Sequence, residues 1–127
     1  MISMTPARSL AAFVALATSI LSHAQAPLSA EQQAFVKVAK ENLTMDFKDP
    51  AGVQYRRTFI ARIETGALIL CGEVNSKNSY GAYVGFRGFI STTTPGLTII
   101  EESRPEMRAA FQRTSAPLCA VKVIDAE

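Results

Sequence analysis

The densest group of polar side chains in this sequence lies in one short stretch, residues 71–81. It contains one carboxylate, two amides, one amine and one phenol, carried by Glu73, Asn75, Asn78, Lys77 and Tyr80. Such groups exchange protons, form hydrogen bonds and pair with ions, so they could hold a ligand where they converge. Two further residues of types enriched at binding hot spots follow. The candidate binding residues are therefore Glu73, Asn75, Lys77, Asn78, Tyr80, Tyr83 and Arg87.

A structural role explains part of the same group. Asn75 and Asn78 can bond to backbone groups of their own turn and tolerate left-handed backbone, so they can fix a loop without any ligand. Glu73 and Lys77 can form a surface ion pair, which contributes less than about 1 kcal/mol. The sequence leaves the structural and the functional interpretation open for these residues.

The N-terminus has the three-part pattern of a secretory signal peptide. Residues 1–9 hold one charge, residues 10–21 are almost entirely apolar, and Ala24-Gln25-Ala26 supplies the small residues of a cleavage site. A membrane-spanning helix needs about 20 apolar residues, so the pattern predicts a cleaved leader, residues 1–26. The product, residues 27–127, is expected to be a single domain, periplasmic or secreted, with no membrane span.

Histidine is missing from the expected product, because the only one, His23, lies in the leader. Catalysis by imidazole is therefore excluded, and a zinc or copper site is not expected. Glu73 is the only carboxylate in the polar cluster, whereas most glycosidases use a pair of carboxylates. Calcium would need a denser aspartate cluster than this chain offers. The sequence predicts no catalytic residue, no metal and no cofactor.

The charge balance bears on the partner. Lysine and arginine number 13 against 11 aspartates and glutamates, a formal net charge of +2. This small excess gives no indication of nucleic-acid binding. With 48% hydrophobic and 19% charged residues, the chain can bury a core. The expected partner is another protein of the cell envelope, an expectation that rests on the export signal, the polar cluster and the lack of catalytic groups.

The two cysteines, Cys71 and Cys119, are an even number in a small chain with an export signal. The simplest interpretation is a disulfide between them. Closing a loop of about 49 residues would stabilise the fold by about 4 kcal/mol on the chain-entropy model. A nucleophilic or metal-binding cysteine would lack a neighbouring histidine and a CxxC spacing, so a structural bond is favoured.

Two segments have helical signals. Ser29 and Gln32 form a capping-box pattern, and apolar residues then recur every three or four positions, which predicts an amphipathic helix ending near Met45. Ser103 and Glu106 form a second capping pattern, which predicts a helix of about ten residues.

Alternating and apolar runs predict five strands, at residues 53–64, 67–75, 80–92, 97–101 and 118–124. The element order is then α-β-β-β-β-α-β. We expect an α+β fold, with a small antiparallel sheet of about five strands and one disulfide. An N-terminal helix and a second short helix are expected to pack on one face of the sheet.

Two local features of these strands have consequences for a site. Arg56 and Arg57 are adjacent, so on a regular strand they point to opposite faces and only one of them can serve a given site. Gly81, Gly85 and Gly88 interrupt the third expected strand, which indicates close approach by aromatic neighbours or curvature of the sheet.

The run CGEVNSKNSYGAYVGFRGFI, with KDPAGVQYR upstream, resembles a family of small exported proteins from proteobacteria and their phages. Its members share a Lys-Asp-Pro segment after an N-terminal helix and a Cys-Gly-x-Val-Asn-x-Lys-Asn-x-Tyr-Gly-x-Tyr-x-Gly-Phe core. The resemblance covers residues 30–92 and implies a bacterial envelope protein, without implying a mechanism. The residues on motif positions are Asn75, Lys77, Asn78, Tyr80, Gly81, Tyr83, Gly85 and Phe86.

Three functions follow as hypotheses. The first is a binding protein without catalysis, such as an inhibitor or immunity-type partner that inserts a rigid hairpin into a cleft. The second is a small hydrolase or lyase acting on the wall or envelope, with Glu73 as its acid or base. The third is an accessory subunit of an envelope or secretion assembly.

Overall fold

The element order expected from the sequence is the order that the structure has. A computed structural model describes residues 26–127, so the expected leader lies outside the described residues apart from Ala26. A short 3-10 helix, Pro50–Gly52, separates the first helix from the first strand. The other elements are α1 (Ala30–Thr44), β1 (Gln54–Arg62), β2 (Leu68–Asn75), β3 (Arg87–Ser91), β4 (Ile99–Ile100), α2 (Pro105–Leu118) and β5 (Lys122–Asp125).

The five strands form one antiparallel sheet in the order β4-β3-β2-β1-β5. The expected α+β class, strand number and disulfide are confirmed, with Cys71 on β2 bonded to Cys119. No helix among residues 26–127 is long and apolar enough to cross a membrane.

The two helices lie on opposite faces of the sheet, which differs from the expectation that both pack on one face. Leu70 and Cys71 are consecutive on β2 and point to opposite sides. Leu70 belongs to the core that contains α1, whereas Cys71 is bonded to Cys119 at the end of α2. The continuous apolar run of residues 68–71 explains the difference, because a strand that is apolar on both faces needs cover on both.

The larger core lies beneath α1. A capping box starts this helix: Gln32 N–H donates to Ser29 Oγ at 3.1 Å, and Ser29 N–H donates to Gln32 Oε1 at 2.9 Å. The expected capping box is thus confirmed. Buried side chains of the helix and the sheet then pack together: Val36, Ala39, Leu43, Ile60, Leu70, Val74, Phe89 and Ala126.

The second helix is held more loosely. None of the residues of α2 is buried, and Phe111 and Leu118 pack partly buried against a small core that contains Ile69 and Ile90. Gly88 makes this approach possible, because a Cβ built there would lie 2.5 Å from Phe111 Cε1. The expected role of Gly88, room for a neighbouring aromatic ring, is confirmed.

Three expectations on element boundaries are wrong. The third strand begins at Arg87, so residues 80–86 form a loop. Helix α2 continues to Leu118, and Cys119 is its C-cap residue instead of a strand residue. The expected capping box at Ser103 is not formed, because the N-cap residue is Arg104 and its side chain makes no capping hydrogen bond.

Candidate functional site

Most of the candidate binding residues lie in the loop of residues 76–86, between β2 and β3, which we call the tip loop. Asn78 organises its turn. The Tyr80 and Ala82 N–H groups donate to Asn78 Oδ1 at 2.9 and 3.1 Å, and Asn78 N–H donates to the Ala82 carbonyl at 2.8 Å. The backbone turns through left-handed conformations at Gly81 and Gly85, with φ of 77° and 103°. These two glycines are needed for the turn and not for curvature of the sheet.

Asn75 holds the base of the tip loop. Its side chain is buried at the end of β2. Asn75 Oδ1 accepts a hydrogen bond from Gly85 N–H at 2.9 Å, and Asn75 Nδ2 donates to Gln54 Oε1 at 3.1 Å. A structural role therefore explains both asparagines, because their side-chain amides form hydrogen bonds that hold the loop in one conformation.

A second segment, residues 48–52, supports the tip loop from outside; we call it the Lys-Asp-Pro turn. Lys77 Nζ lies 3.5 Å from Asp49 Oδ2, and Tyr83 Oη donates to the Gly52 carbonyl at 2.7 Å. Lys48 Nζ donates to Ser79 Oγ. The Lys-Asp-Pro turn and the tip loop, distant in sequence, thus contact each other through side chains of both segments.

Tyr80 lies at the far end of this braced loop. Its side chain is 95% exposed, and the neighbouring apolar side chain Val84 is 55% exposed. Tyr83, by contrast, is turned back onto the Lys-Asp-Pro turn, where its ring lies 5.4 Å from Lys77 Nζ. Of the two tyrosines proposed for binding, Tyr80 is the more exposed, since the side chain of Tyr83 is 42% exposed.

Glu73 faces β1 and pairs with arginines, not with Lys77 as the sequence had suggested. Arg56 Nε and Nη2 donate to the two carboxylate oxygens of Glu73 at 3.0 and 3.2 Å. Arg57 Nη1 lies 3.3 Å from Glu73 Oε2. Both arginines therefore serve one carboxylate, which corrects the expectation that they point to opposite faces.

A β-bulge explains this correction. The register of β1 against β2 shifts between Arg56 and Phe59, and Arg57 has a positive φ of 51°. A bulge leaves one residue unpaired and redirects the side chains on either side of it. Arg57 is the only residue other than glycine with positive φ among residues 26–127. The backbone there is strained, since a Cβ disfavours the left-handed region.

The arginines also fix the protonation of Glu73. The hydrogen bonds from Arg56 outweigh desolvation and hold the pKa of Glu73 below its usual range, with a further contribution from the charge of Arg57. The carboxyl group is thus ionised at neutral pH. A general acid needs a raised pKa near the working pH, so this environment does not suit Glu73 for proton donation.

A cleft of about 390 Å³ opens beside these charges, between the sheet and α2; we call it the α2 cleft. Its lining includes Arg57, Glu73, Phe59, Phe111 and the disulfide residues Cys71 and Cys119. Sequence reasoning missed it, because it forms only when α2 covers the second face of the sheet. Among residues 26–127, no group of three or more His, Cys, Asp or Glu side chains could hold a metal ion.

Arg87 is separate from the other candidates. It pairs with Val74 across β2 and β3 and so shares its face, the face of α1, whereas Glu73 lies on the opposite one. Its Nε atom is buried, and no hydrogen-bond acceptor for it is found in the described part of the chain. The structure therefore divides the candidates into the tip loop, the Glu73 cluster and Arg87.

Comparison of the chain with protein-family models, with curated proteins and with solved structures finds no match. What the chain does must be inferred from the tip loop and the α2 cleft themselves.

Proposed function

We propose that the chain is an exported binding protein that attaches to another protein of the bacterial envelope through its tip loop. The observation that carries this proposal is the combination of a fully exposed Tyr80 with a loop whose backbone is already fixed. Tyr80 is 95% exposed, although the Asn78 amide binds the backbone N–H groups of Tyr80 and Ala82.

The bracing of the loop lowers the cost of binding. Ordering a flexible loop at an interface reduces affinity, so a loop that is rigid before contact loses less conformational entropy. Asn75 and Asn78 fix the loop internally, while Tyr83 and Lys77 attach it to the Lys-Asp-Pro turn. In this proposal, the residues of the resemblance motif shape the loop, and the loop exposes Tyr80 to a partner.

Tyr80 has the chemistry of an interface anchor. An aromatic ring buries a large apolar area on contact, and its hydroxyl group can bond to the partner. Val84 adds an exposed apolar side chain to the same loop. A projecting, braced tip of this kind suits insertion into a cleft, as an inhibitor or immunity-type protein would require.

The proposed compartment is the periplasm or the cell exterior. The leader pattern of residues 1–26 and the Cys71–Cys119 bond both support export, since disulfides persist in oxidising compartments. A hydrolase that uses Glu73 is a weaker candidate, because the two arginines lower the pKa of this carboxyl group and so make it a poor proton donor and a weak base.

Site-specific photocross-linking in intact bacteria tests the proposal. The full-length chain would carry a benzophenone amino acid in place of Tyr80 or, as a matched control, in place of Leu97, which is 60% exposed outside the tip loop. We expect one discrete cross-linked partner from position 80 and not from position 97. The same partner from both positions, or none from position 80, would contradict the proposal.

A second variant tests whether the fixed backbone of the tip loop contributes to binding. Asn78→Ala removes the acceptor of two backbone hydrogen bonds and should reduce the yield of the position-80 cross-link, while Leu97→Ala should leave it unchanged. Inhibition of the purified partner by the chain would assign the inhibitor role. Stable co-purification in a larger complex without inhibition would assign the accessory role.

A further inference from the structure

We propose that the α2 cleft binds a small organic acid, with its carboxylate on Arg57 and its apolar group between Phe59 and Phe111. This site is separate from the tip loop, so it adds a ligand to the protein-binding role proposed above. It rests on the charges at the cleft rim, on the cleft volume and on the lining of the cleft.

Arg57 has N–H donors that its contact with Glu73 does not use. Both oxygens of Glu73 already accept hydrogen bonds from Arg56, so this carboxylate is neutralised by one guanidinium. Arg57 approaches the same carboxylate through a single nitrogen at 3.3 Å, and its side chain is 78% exposed. A guanidinium group has five N–H donors in a planar fork, so Arg57 can still bind a second carboxylate through two of them.

The backbone conformation that places Arg57 at this rim is strained. Its positive φ of 51° would be unstrained for glycine, yet the chain places an arginine there. Strained backbone of this kind is concentrated at functional sites. The bulge turns the guanidinium of Arg57 toward the cleft, whereas a regular strand would direct it to the opposite face.

The cleft is open to solvent and has room for a small ligand. Its volume of about 390 Å³ is near the lower end of the range for small-molecule sites, about 300–1,000 Å³. Two aromatic side chains, Phe59 and Phe111, contribute to its lining and can contact an apolar group. An aromatic or short aliphatic acid combines these two requirements.

The rim charge and the aromatic lining together select among anions. Two arginines against one glutamate leave a net charge of about +1, which attracts an anion. Inorganic phosphate is also an anion, but it has no apolar group to contact Phe59 and Phe111. Binding should therefore favour an acid with an apolar group over inorganic phosphate.

Protein NMR of the full domain tests the site with three probes: 3-phenylpropionate, its neutral analogue 3-phenylpropanamide, and inorganic phosphate. We expect the acid to shift the backbone amides of residues 57–59, 71–73 and 111–119. The amide and phosphate should bind at least about tenfold more weakly, since each lacks one of the two matched features.

Three arginine variants assign the contact. Arg57→Gln should weaken binding of 3-phenylpropionate by about tenfold or more, whereas Arg113→Gln, which removes an exposed arginine from α2, should change it less than twofold. Arg57→Lys should recover part of the affinity, because the charge remains but the fork is lost. Equal affinity for acid and amide, or no effect of Arg57→Gln in a folded variant, would overturn the proposal.

A peptide probe tests whether the cleft binds the C-terminus of a peptide chain in preference to a small acid. The tripeptide Ala-Ala-Phe with a free carboxylate also combines an aromatic ring with an anion. The proposed small-acid site predicts that 3-phenylpropionate binds at least as tightly as the peptide. Binding of the peptide alone would overturn the small-acid assignment. This test does not involve Tyr80, so its failure would leave the tip-loop proposal standing.

Discussion

The Arg57 guanidinium lies 3.3 Å from Glu73 Oε2, on a carboxylate that is already bonded to the preceding residue, Arg56. Consecutive strand residues normally face opposite sides of a sheet. Here the bulge between Arg56 and Phe59 brings the two guanidinium groups to one side. The result is a surface cluster of two cations and one anion at the rim of the α2 cleft.

Because of this bulge, we expect glycine and alanine substitutions to have opposite orders of stability at positions 56 and 57. At position 57, with φ of 51°, Arg57→Gly should be more stable than Arg57→Ala by about 1 kcal/mol, because only alanine retains the Cβ strain. At position 56, Arg56→Ala should be the more stable by about 0.5–1 kcal/mol, because glycine loses more backbone entropy on folding. Urea unfolding of the four variants measures both differences.

The comparison within each position removes the effect of the lost ion pair, which is common to both variants. The same order of stability at positions 56 and 57 would contradict a left-handed backbone at Arg57.

The contact between Gly88 and Phe111 predicts a compensating pair of substitutions. In Gly88→Ala, the new Cβ would lie 2.5 Å from Phe111 Cε1, so the ring or helix α2 must move. We expect a loss of about 1–3 kcal/mol in the free energy of unfolding. In a Phe111→Ala background the same change should be nearly neutral, and a double-mutant cycle measures the coupling. An equal penalty in both backgrounds would show that something other than this ring opposes the methyl group.

We expect the fold to lose stability at alkaline pH as Tyr55 ionises. Burial raises its pKa from 10.0 to about 12, and its ring packs edge-on against Phe89 with the centroids 6.1 Å apart. The folded state therefore keeps the phenol proton at a pH where the unfolded chain loses it. The contribution of Tyr55 is complete below pH 10 and is lost as the pH rises toward 12.

The variant Tyr55→Phe isolates this effect. The difference in unfolding free energy between the wild-type chain and Tyr55→Phe should be constant below pH 10 and should shift in favour of the variant above it. Parallel stability curves through this range would mean that Tyr55 ionises equally easily in both states.

The disulfide predicts that α2 is the first element to loosen on reduction. No residue of α2 is buried, and its last turn is attached to β2 through Cys119. In a Cys71→Ala, Cys119→Ala double variant we expect amide exchange of residues 105–118 to accelerate at least about tenfold more than that of α1. Global stability should fall by about 4 kcal/mol on the chain-entropy model. Equal acceleration in both helices would show that α2 is not separately tethered.

Local pattern was sufficient to predict α1 and the strands β1 and β2. Each depends on apolar spacing within a few residues, and α1 depends also on the capping box of Ser29 and Gln32. The disulfide followed from the cysteine count and the leader. These signals are local or compositional, so a single sequence contains them.

The loop and the bulge could not be predicted in the same way. The aromatic and glycine residues at 80–86 alternate as a strand would, but the left-handed backbone at Gly81 and Gly85 and the contact of Tyr83 with Gly52 make a loop. That contact joins residues 31 positions apart. At Arg57 the left-handed backbone is occupied by a residue that gives no signal for it. The α2 cleft depends on which face a helix covers, which is a property of the whole sheet.

The covalent link between a central strand and the end of α2 also determines how the molecule responds to mechanical force. Traction on the C-terminus would first detach β5 from β1, since β5 is at the sheet edge and follows Cys119 in the chain. Further extension would have to come from the residues before Cys71, because the residues between Cys71 and Cys119 cannot lengthen while the bond is intact. A partner that pulls on the chain would therefore leave β3, β4 and α2 within a closed loop.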